Sequence, residues 1–229
     1  MIYYTGDIHG QKHDIERFCK RFNPTREDII VILGDVGANY GQDERDAELK
    51  NALDKLKPTI LCIHGNHEIR PWHIPTYKTK EWHGGTVWYE ETYPSVLFAK
   101  DGEIYDLEGL RHIVIGGAYS VDKMYRTEGI TWFPEEIPSK EEYEEGWKNL
   151  EKADFQVDYI LSHTAPREVA AAIGYGELSD DEVELRQFLQ RVEDETEFTA
   201  WYFGHFHEDT DVEGQFFCLY EEIVELEQE

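Results

Sequence analysis

The run Asp28–Leu33, DIIVIL, constrains the fold more than any other part of this chain. It is apolar at consecutive rather than alternate positions and rich in β-branched residues. A strand of that kind is covered on both faces, as in a parallel sheet packed between other layers. Ile2–Thr5 precedes it as a short first strand, and Thr59–Ile63, TILCI, follows as a third. His9–Arg21 lies between the first two, with Ile15, Phe18, Cys19 and Phe22 at helical spacing. Arg45–Leu56 lies between the second and third, with Leu49, Leu53 and Leu56 on one side. The order β-α-β-α-β predicts a parallel sheet with right-handed crossovers.

The middle of the chain changes character. Thr86–Tyr89, Val96–Phe98, Ile104–Asp106 and His112–Ile115 read as short strands between Gly, Pro and Asp turns, and predict an antiparallel layer. The stretch 116–138 reads as a long loop, uncommon unless it serves function. Ser139–Ala153 opens with Ser-Lys-Glu-Glu, a capping-box pattern, and predicts an exposed helix. A buried strand at Val157–Leu161, a helix at Asp180–Glu193 and a strand at Ala200–Phe203 follow. Val212, Phe216–Leu219 and Ile223–Leu226 are expected to close the chain as hairpin strands. Two mixed sheets flanked by helices, within a single domain spanning residues 1–229, accommodate this order.

Composition narrows the function classes. Apolar residues make up 40% of the 229, enough for a packed core, and no run of about 18 apolar residues could span a bilayer. The opening MIYYTGDIHG has no basic segment leading into an apolar one, so no secretory leader is expected. Cys19, Cys62 and Cys218 are too scattered for a disulfide framework or a thiolate zinc site, which makes a reducing cytoplasm the expected location. With 22 Lys and Arg against 49 Asp and Glu, the net charge is −27. Such a surface repels phosphate backbones and anionic membranes, so neither long nucleic acid nor a membrane is an expected partner. The stretch Glu208–Glu229 contains no Lys or Arg and reads as a solvated face with a frayed end.

Five segments share one arrangement, in which a hydrophobic strand ends in residues able to hold a metal. They are Gly6-Asp7-Ile8-His9-Gly10, Gly34-Asp35, Gly65-Asn66-His67-Glu68, Ser162-His163 and Gly204-His205-Phe206-His207. Ligands of open α/β sheets bind beyond the carboxyl ends of the strands, so the five ends point to one site. Asp7 and His9 are two apart, as are His205 and His207. In an extended stretch each pair would leave on the same side. Mixed Asp, His and Asn ligation suits Mn, Fe, Co, Ni or Zn and is too nitrogen-rich for a Ca or Mg cage. A shared carboxylate can bridge two ions, and Asp35 is the best placed. Each residue also has a plain structural explanation: a turn for Asp7, a strand end for Asp35, a left-handed turn for Asn66, a hydrogen-bonded core histidine for His163. The combination is what carries the argument.

In combination, D-x-H, GD, GNH, H and GH-x-H, the blocks resemble those of the calcineurin-like metallophosphoesterase superfamily, over residues 6–207. The resemblance implies a four-layer α/β/β/α sandwich with a two-metal centre, Mn being favoured and Fe, Zn, Ni or Co the alternatives. It implies that Asp7, His9 and His207 hold one ion, that Asn66, His163 and His205 hold the other, and that Asp35 bridges. His67 is then a non-ligand histidine near the leaving group. The implied chemistry is attack on phosphorus by a hydroxide bridging the metals, with His67 serving the departing oxygen. One departure is visible. Protein phosphatases of the superfamily continue GD as GD-x-x-DRG, whereas this chain reads Gly34-Asp35-Val36-Gly37-Ala38-Asn39-Tyr40-Gly41. That argues against a protein serine/threonine phosphatase and leaves the ligands intact.

Substrate contacts are expected from Asn39 and Tyr40 on the rim, and from Arg70, just past the GNHE turn, as a phosphate clamp. Tyr119, Lys123 and Arg126 of the long loop are candidates for lining the mouth. Glu68 is either an orienting group or a plain surface carboxylate. The leading function is hydrolysis of a small phosphorylated molecule, monoester or diester. The alternatives are a non-catalytic protein-interaction scaffold on the same fold and a metal-dependent amide or ester hydrolase. The oligomeric state is open.

Overall fold

A computed structural model of the chain describes residues 1–176 and 179–226. Its first half builds six strands of a seven-stranded sheet. Strands β1 (Ile2–Thr5), β2 (Ile29–Ile32) and β3 (Thr59–Cys62) run parallel, separated by helices α1 (His13–Phe22) and α2 (Glu44–Asp54). Strands β4 (Tyr77–Trp82), β5 (Gly85–Glu90) and β6 (Tyr93–Ala99) form an antiparallel meander whose last strand joins β3 in parallel. A second sheet has six strands. It holds the hairpin β7 (Ile104–Leu107) and β8 (Leu110–Ile115), then β9 (Tyr159–Ser162) and β10 (Ala200–Phe203), and the hairpin β11 (Thr210–Val212) and β12 (Phe216–Cys218). Strands β8, β9, β10 and β12 form its parallel centre. Helices α3 (Lys140–Lys152), α4 (Arg167–Ala172) and α5 (Val183–Glu195) accompany this sheet.

The strand β2 shows how the layers are held. Ile29, Val31 and Leu33 turn one way, into a core shared with Tyr4, Leu61, Leu97, Val114 and Leu161 of both sheets. Ile30 and Ile32 turn the other way, against Ile15 of α1 and Leu49 and Leu53 of α2. On the far side, Ile113, Ile160 and Phe203 of the second sheet pack against Leu150, Val169, Leu185 and Leu189 of α3, α4 and α5. Burying each such side chain contributes roughly 1.5–3 kcal/mol. The result is helix, sheet, sheet, helix, the four-layer sandwich of two mixed sheets.

Several expectations change in detail. The middle strands do not make one antiparallel layer; the meander extends the first sheet and β7–β8 opens the second. Only β11 and β12 form a closing hairpin, while β13 (Ile223–Glu225) crosses to the first sheet and pairs antiparallel with β1. The edge strand β4, YKTKEW, carries an exposed Lys78 and a half-buried Lys80 and lacks a strand's apolar pattern. Helix α4 is too short to show a period. The capping box forms as expected, Ser139 Oγ accepting from the Glu142 N–H and Glu142 Oε2 accepting from the Ser139 N–H. Residues 227–229 of the acidic stretch lie outside the described residues. Among the described residues no helix is long and apolar enough to cross a membrane.

Candidate metal centre

The carboxyl ends of β1, β2 and β3 in one sheet meet those of β9 and β10 in the other. Backbone hydrogen bonds lock the strand-end turns together. His9 N–H donates to Asp35 O at 2.8 Å and Gly10 N–H to Val36 O at 2.9 Å. His163 Nδ1 lies 2.7 Å from Leu33 O, and the His205 N–H donates to Asp7 Oδ1 at 2.8 Å. The last two bonds cross between sheets, so the site exists only once both are stacked.

The geometry that brings the paired residues together is not the extended one expected from their spacing. Helix α1 begins at His13, and residues 9–12 make a turn instead. His9 (φ 43°), Asp35 (φ 46°), His205 (φ 71°) and His207 (φ 54°) all occupy the left-handed region, which non-glycine residues adopt at a cost of about 1–3 kcal/mol. Four of the eleven non-glycine residues with positive φ among the described residues stand at this site. Glycine is required where side chains press against backbone: a Cβ on Gly65 would sit 1.9 Å from Asp35 Oδ1, and one on Gly34 would sit 2.1 Å from His163 Nδ1.

Asp7, His9 and His207 offer three ligand atoms within 4.8 Å of one another, and so do Asp7, Asp35 and His163. A third such cluster joins His9, Asp35 and His67. Asp35 faces both ways, Oδ2 lying 4.0 Å from His9 Nδ1 and Oδ1 lying 3.6 Å from His163 Nε2. Asn66 Oδ1 is 3.0 Å from His163 Nε2. His205 stands beside His163, ring centroids 5.1 Å apart, but joins none of the three clusters.

The polar atoms here fit a cation better than they fit one another. Asp7 Oδ2 is buried without a hydrogen-bond partner. His9 Nε2 and His207 Nε2 converge at 2.9 Å. His163 gives its Nδ1 proton to Leu33 O, so a neutral ring turns a lone pair at Nε2 toward the oxygen of Asn66. Acceptors aimed at acceptors in a buried place call for a positive charge between them. Without one, protons take the role. Burial opposes the charged His163 ring, yet Asp35 and Asp7 outweigh burial and raise its pKa to about 9. Burial likewise opposes the Asp35 carboxylate, and His163 outweighs it, holding Asp35 far below the usual carboxylate range. Burial and the neighbouring His163 push His205 well down.

His67 stands at the edge of this cluster, its Nε2 3.8 Å from Asp35 Oδ2. Arg126, from the long loop, reaches it: Nη1 lies 2.9 Å from Nδ1 and Nη2 3.0 Å from Nε2. A guanidinium can only donate, so at least one ring nitrogen accepts and the ring is neutral. Burial lowers the His67 pKa, with Arg126 and His9 adding to it and Asp35 opposing. A cleft opens beside these residues, walled by His9, His67, Tyr40, Arg45, Ile130 and Thr131. Tyr40 stands on its rim, ring centroid 6.3 Å from His67.

Asn39 and Arg70 are not where the sequence placed them. Asn39 is 1% exposed, its Oδ1 accepting from Tyr77 Oη at 3.0 Å and Lys50 Nζ at 3.3 Å. Arg70 is also 1% exposed. It donates from Nη1 to Asp101 Oδ2 at 2.6 Å and from Nε to Glu135 O at 2.9 Å. Both chains turn inward because a buried partner of opposite polarity waits there. Glu68 is no surface carboxylate either. It is 1% exposed, accepts from the Val36 N–H at 2.5 Å, and is pushed up to about 8 by burial and the charge of Asp35. Arg45, Ser120 and Glu136 escape sequence reasoning, because no local signal marks them; their relation to the site is made by tertiary contacts alone.

The calcineurin-like phosphoesterase profile matches residues 1–209. The chain belongs to that family. The family's chemistry is phosphoester hydrolysis, and membership implies divalent metal ions. The chain is 27% identical over 105 residues to the uncharacterized metallophosphoesterase YkuE of Bacillus subtilis (strain 168). That match spans 45% of this chain and 36% of the relative. Among solved structures it is similar to TT1561 of Thermus thermophilus, with a TM-score of 0.56 and 16% identity, covering 96% of this chain and 87% of that one. It is also similar to the phosphopantetheinyl hydrolase PptH from Mycobacterium tuberculosis, with a TM-score of 0.50 and 13% identity, over 96% of this chain and 89% of that one. Likeness at these identities shows the shared fold.

Proposed function

We propose that this chain is a phosphoesterase that holds two divalent ions, Mn by preference, and hydrolyses a small phosphomonoester or phosphodiester. Asp7, His9 and His207 would hold one ion, Asn66, His163 and His205 the other, with Asp35 bridging. The observation that carries the reading is the pair of acidic–histidine clusters that share Asp7, with Asp35 turned toward His9 on one side and His163 on the other. When bound, such ions polarise phosphate oxygens and acidify water. The chain's own groups supply the rest. His67, neutral beside Arg126, donates a hydrogen bond to the departing oxygen. Arg126, held on the His67 ring, places a guanidinium next to the cleft, and Arg45 stands in the cleft wall beside Asp43 and Asp46. Tyr40 bounds the leaving-group side. A small substrate suits the acidic surface, because a polymer would meet it over a long contact.

The test is a panel of phosphomonoesters, cyclic nucleotides, dinucleotides and phosphopeptides offered to the Mn-loaded protein, with metal content measured in parallel. Two ions per chain and turnover concentrated on small esters are expected. A protein that takes up no Mn and turns over nothing in the panel refutes the proposal.

A further inference from the structure

Two residues of the long loop, Ser120 and Glu136, stand behind Asn66. Asn66 can bind a cation only through Oδ1, and its amide must be held that way round. Its Nδ2 donates to Ser120 Oγ at 2.9 Å. Ser120 Oγ lies 2.5 Å from Glu136 Oε2, and the Ser120 N–H donates to Glu136 Oε1 at 3.2 Å. Asn66, Ser120 and Glu136 are each 2% exposed or less, so water offers no competing partner. Burial raises the Glu136 pKa and the Ser120 contacts oppose it; while ionised, the carboxylate only accepts, so the single hydroxyl proton of Ser120 goes to Glu136. The hydroxyl then has only lone pairs left for Asn66, and the group facing it must be the NH₂. Asn66 Oδ1 is thereby turned toward His163 Nε2, 3.0 Å away.

We propose that Ser120 and Glu136 are positioning residues that fix the orientation of the Asn66 amide, a proposal that rests on Asn66 being a metal ligand. The loop is anchored for this role from below. Arg70 donates to Glu135 O, the Gly117 N–H donates to His64 O at 2.7 Å, and the Ala118 N–H donates to Glu136 O at 3.2 Å. These contacts bring residues 120 and 136 together at the one place where an acceptor-only group can set the direction of the whole chain of bonds. Arg70, expected to clamp substrate, instead holds the strap that aims a ligand.

The experiment titrates metal-free protein with Mn²⁺ alone, by calorimetry, in wild type, Ser120→Ala, Glu136→Gln, Asn66→Asp and the Asn66→Asp/Glu136→Gln double variant. Glu136→Gln keeps shape but lets the relay run in either direction. Both relay variants should weaken one of two binding events by about 10–100-fold, the usual range for partners behind a metal ligand, and leave the other unchanged. An aspartate at position 66 presents oxygen whichever way it turns. In that background Glu136→Gln should therefore cost nothing further. Wild-type binding in both single variants, or an undiminished loss in the Asn66→Asp background, overturns the relay while leaving the two-metal reading standing. A wild type that binds no Mn²⁺ overturns both.

Discussion

Two arginines teach opposite lessons about the site. Arg70 lies two residues past the GNHE turn, yet its guanidinium is buried on Asp101 and Glu135 O. Arg126 lies 59 residues from His67 in sequence, yet its guanidinium rests on the His67 ring. The difference comes from their partners. A buried carboxylate at Asp101 draws Arg70 beneath the turn, where pairing offsets the cost of desolvating the charge. Arg126 sits on a loop with no strand of its own, tied by Asp122, the Thr131 carbonyl and His67. Nearness to a motif along the chain says little about nearness to its chemistry.

The comparison can be broken or sharpened by experiment. Asp35→Asn should have the largest effect. It removes the carboxylate that faces both clusters, and turnover should fall by more than the ~10²-fold of an outer-shell change, with both Mn²⁺ affinities weakened. Retained binding of two ions would remove Asp35 as the bridge. His67→Ala should keep both ions and lose ~10²–10⁴-fold in rate on esters with poor leaving groups, the usual range for acid–base groups. Full speed on such an ester would end that role.

Exchanging the arginines is the sharper test. Arg126→Ala removes the guanidinium held against the His67 ring and should lower kcat/KM by ~10–100-fold with a small change in stability. Arg70→Ala takes the guanidinium from the buried Asp101, leaving it the Gly116 N–H and His64, and should cost about 3–5 kcal/mol in denaturant unfolding. If Arg70→Ala melts like wild type while losing turnover, the clamp role returns to Arg70.

The smallest expected effect is on pH. Burial would raise the Asp101 carboxyl, but Arg70 and His64 outweigh it and bring it down to about 2. A carboxyl depressed in the folded state stabilises the fold above its unfolded value near ~4 and loses that contribution as pH falls toward ~2. The stability gap between wild type and Arg70→Ala should therefore narrow across that window. A gap constant from about pH 5 to about pH 2 would show that the pair does not carry the difference.

Two mixed sheets flanked by helices, and the ligand blocks, were legible because each is written locally. DIIVIL needs cover on both faces wherever it sits, and a strand end bearing Gly34-Asp35 or Gly204-His205-Phe206-His207 carries its donors with it. The turn geometry was not legible in the same way. The two-residue spacing of Asp7 and His9 led to the right pairing through the wrong conformation, since His9 is left-handed rather than extended. Edge strand β4 and the crossing of β13 were missed because exposed or three-residue strands leave little apolar pattern to read.

By itself the sequence determined the layers and which side chains stand at the strand ends, because hydrophobic burial and strand direction act over a few residues at a time. Only the tertiary structure decided that Arg126 rather than Arg70 attends His67, that Asn39 and Glu68 turn inward, and that Ser120 and Glu136 stand behind Asn66. Those outcomes depend on which polar groups must find partners once water is excluded, and that is settled by the packing of distant segments rather than by neighbours along the chain.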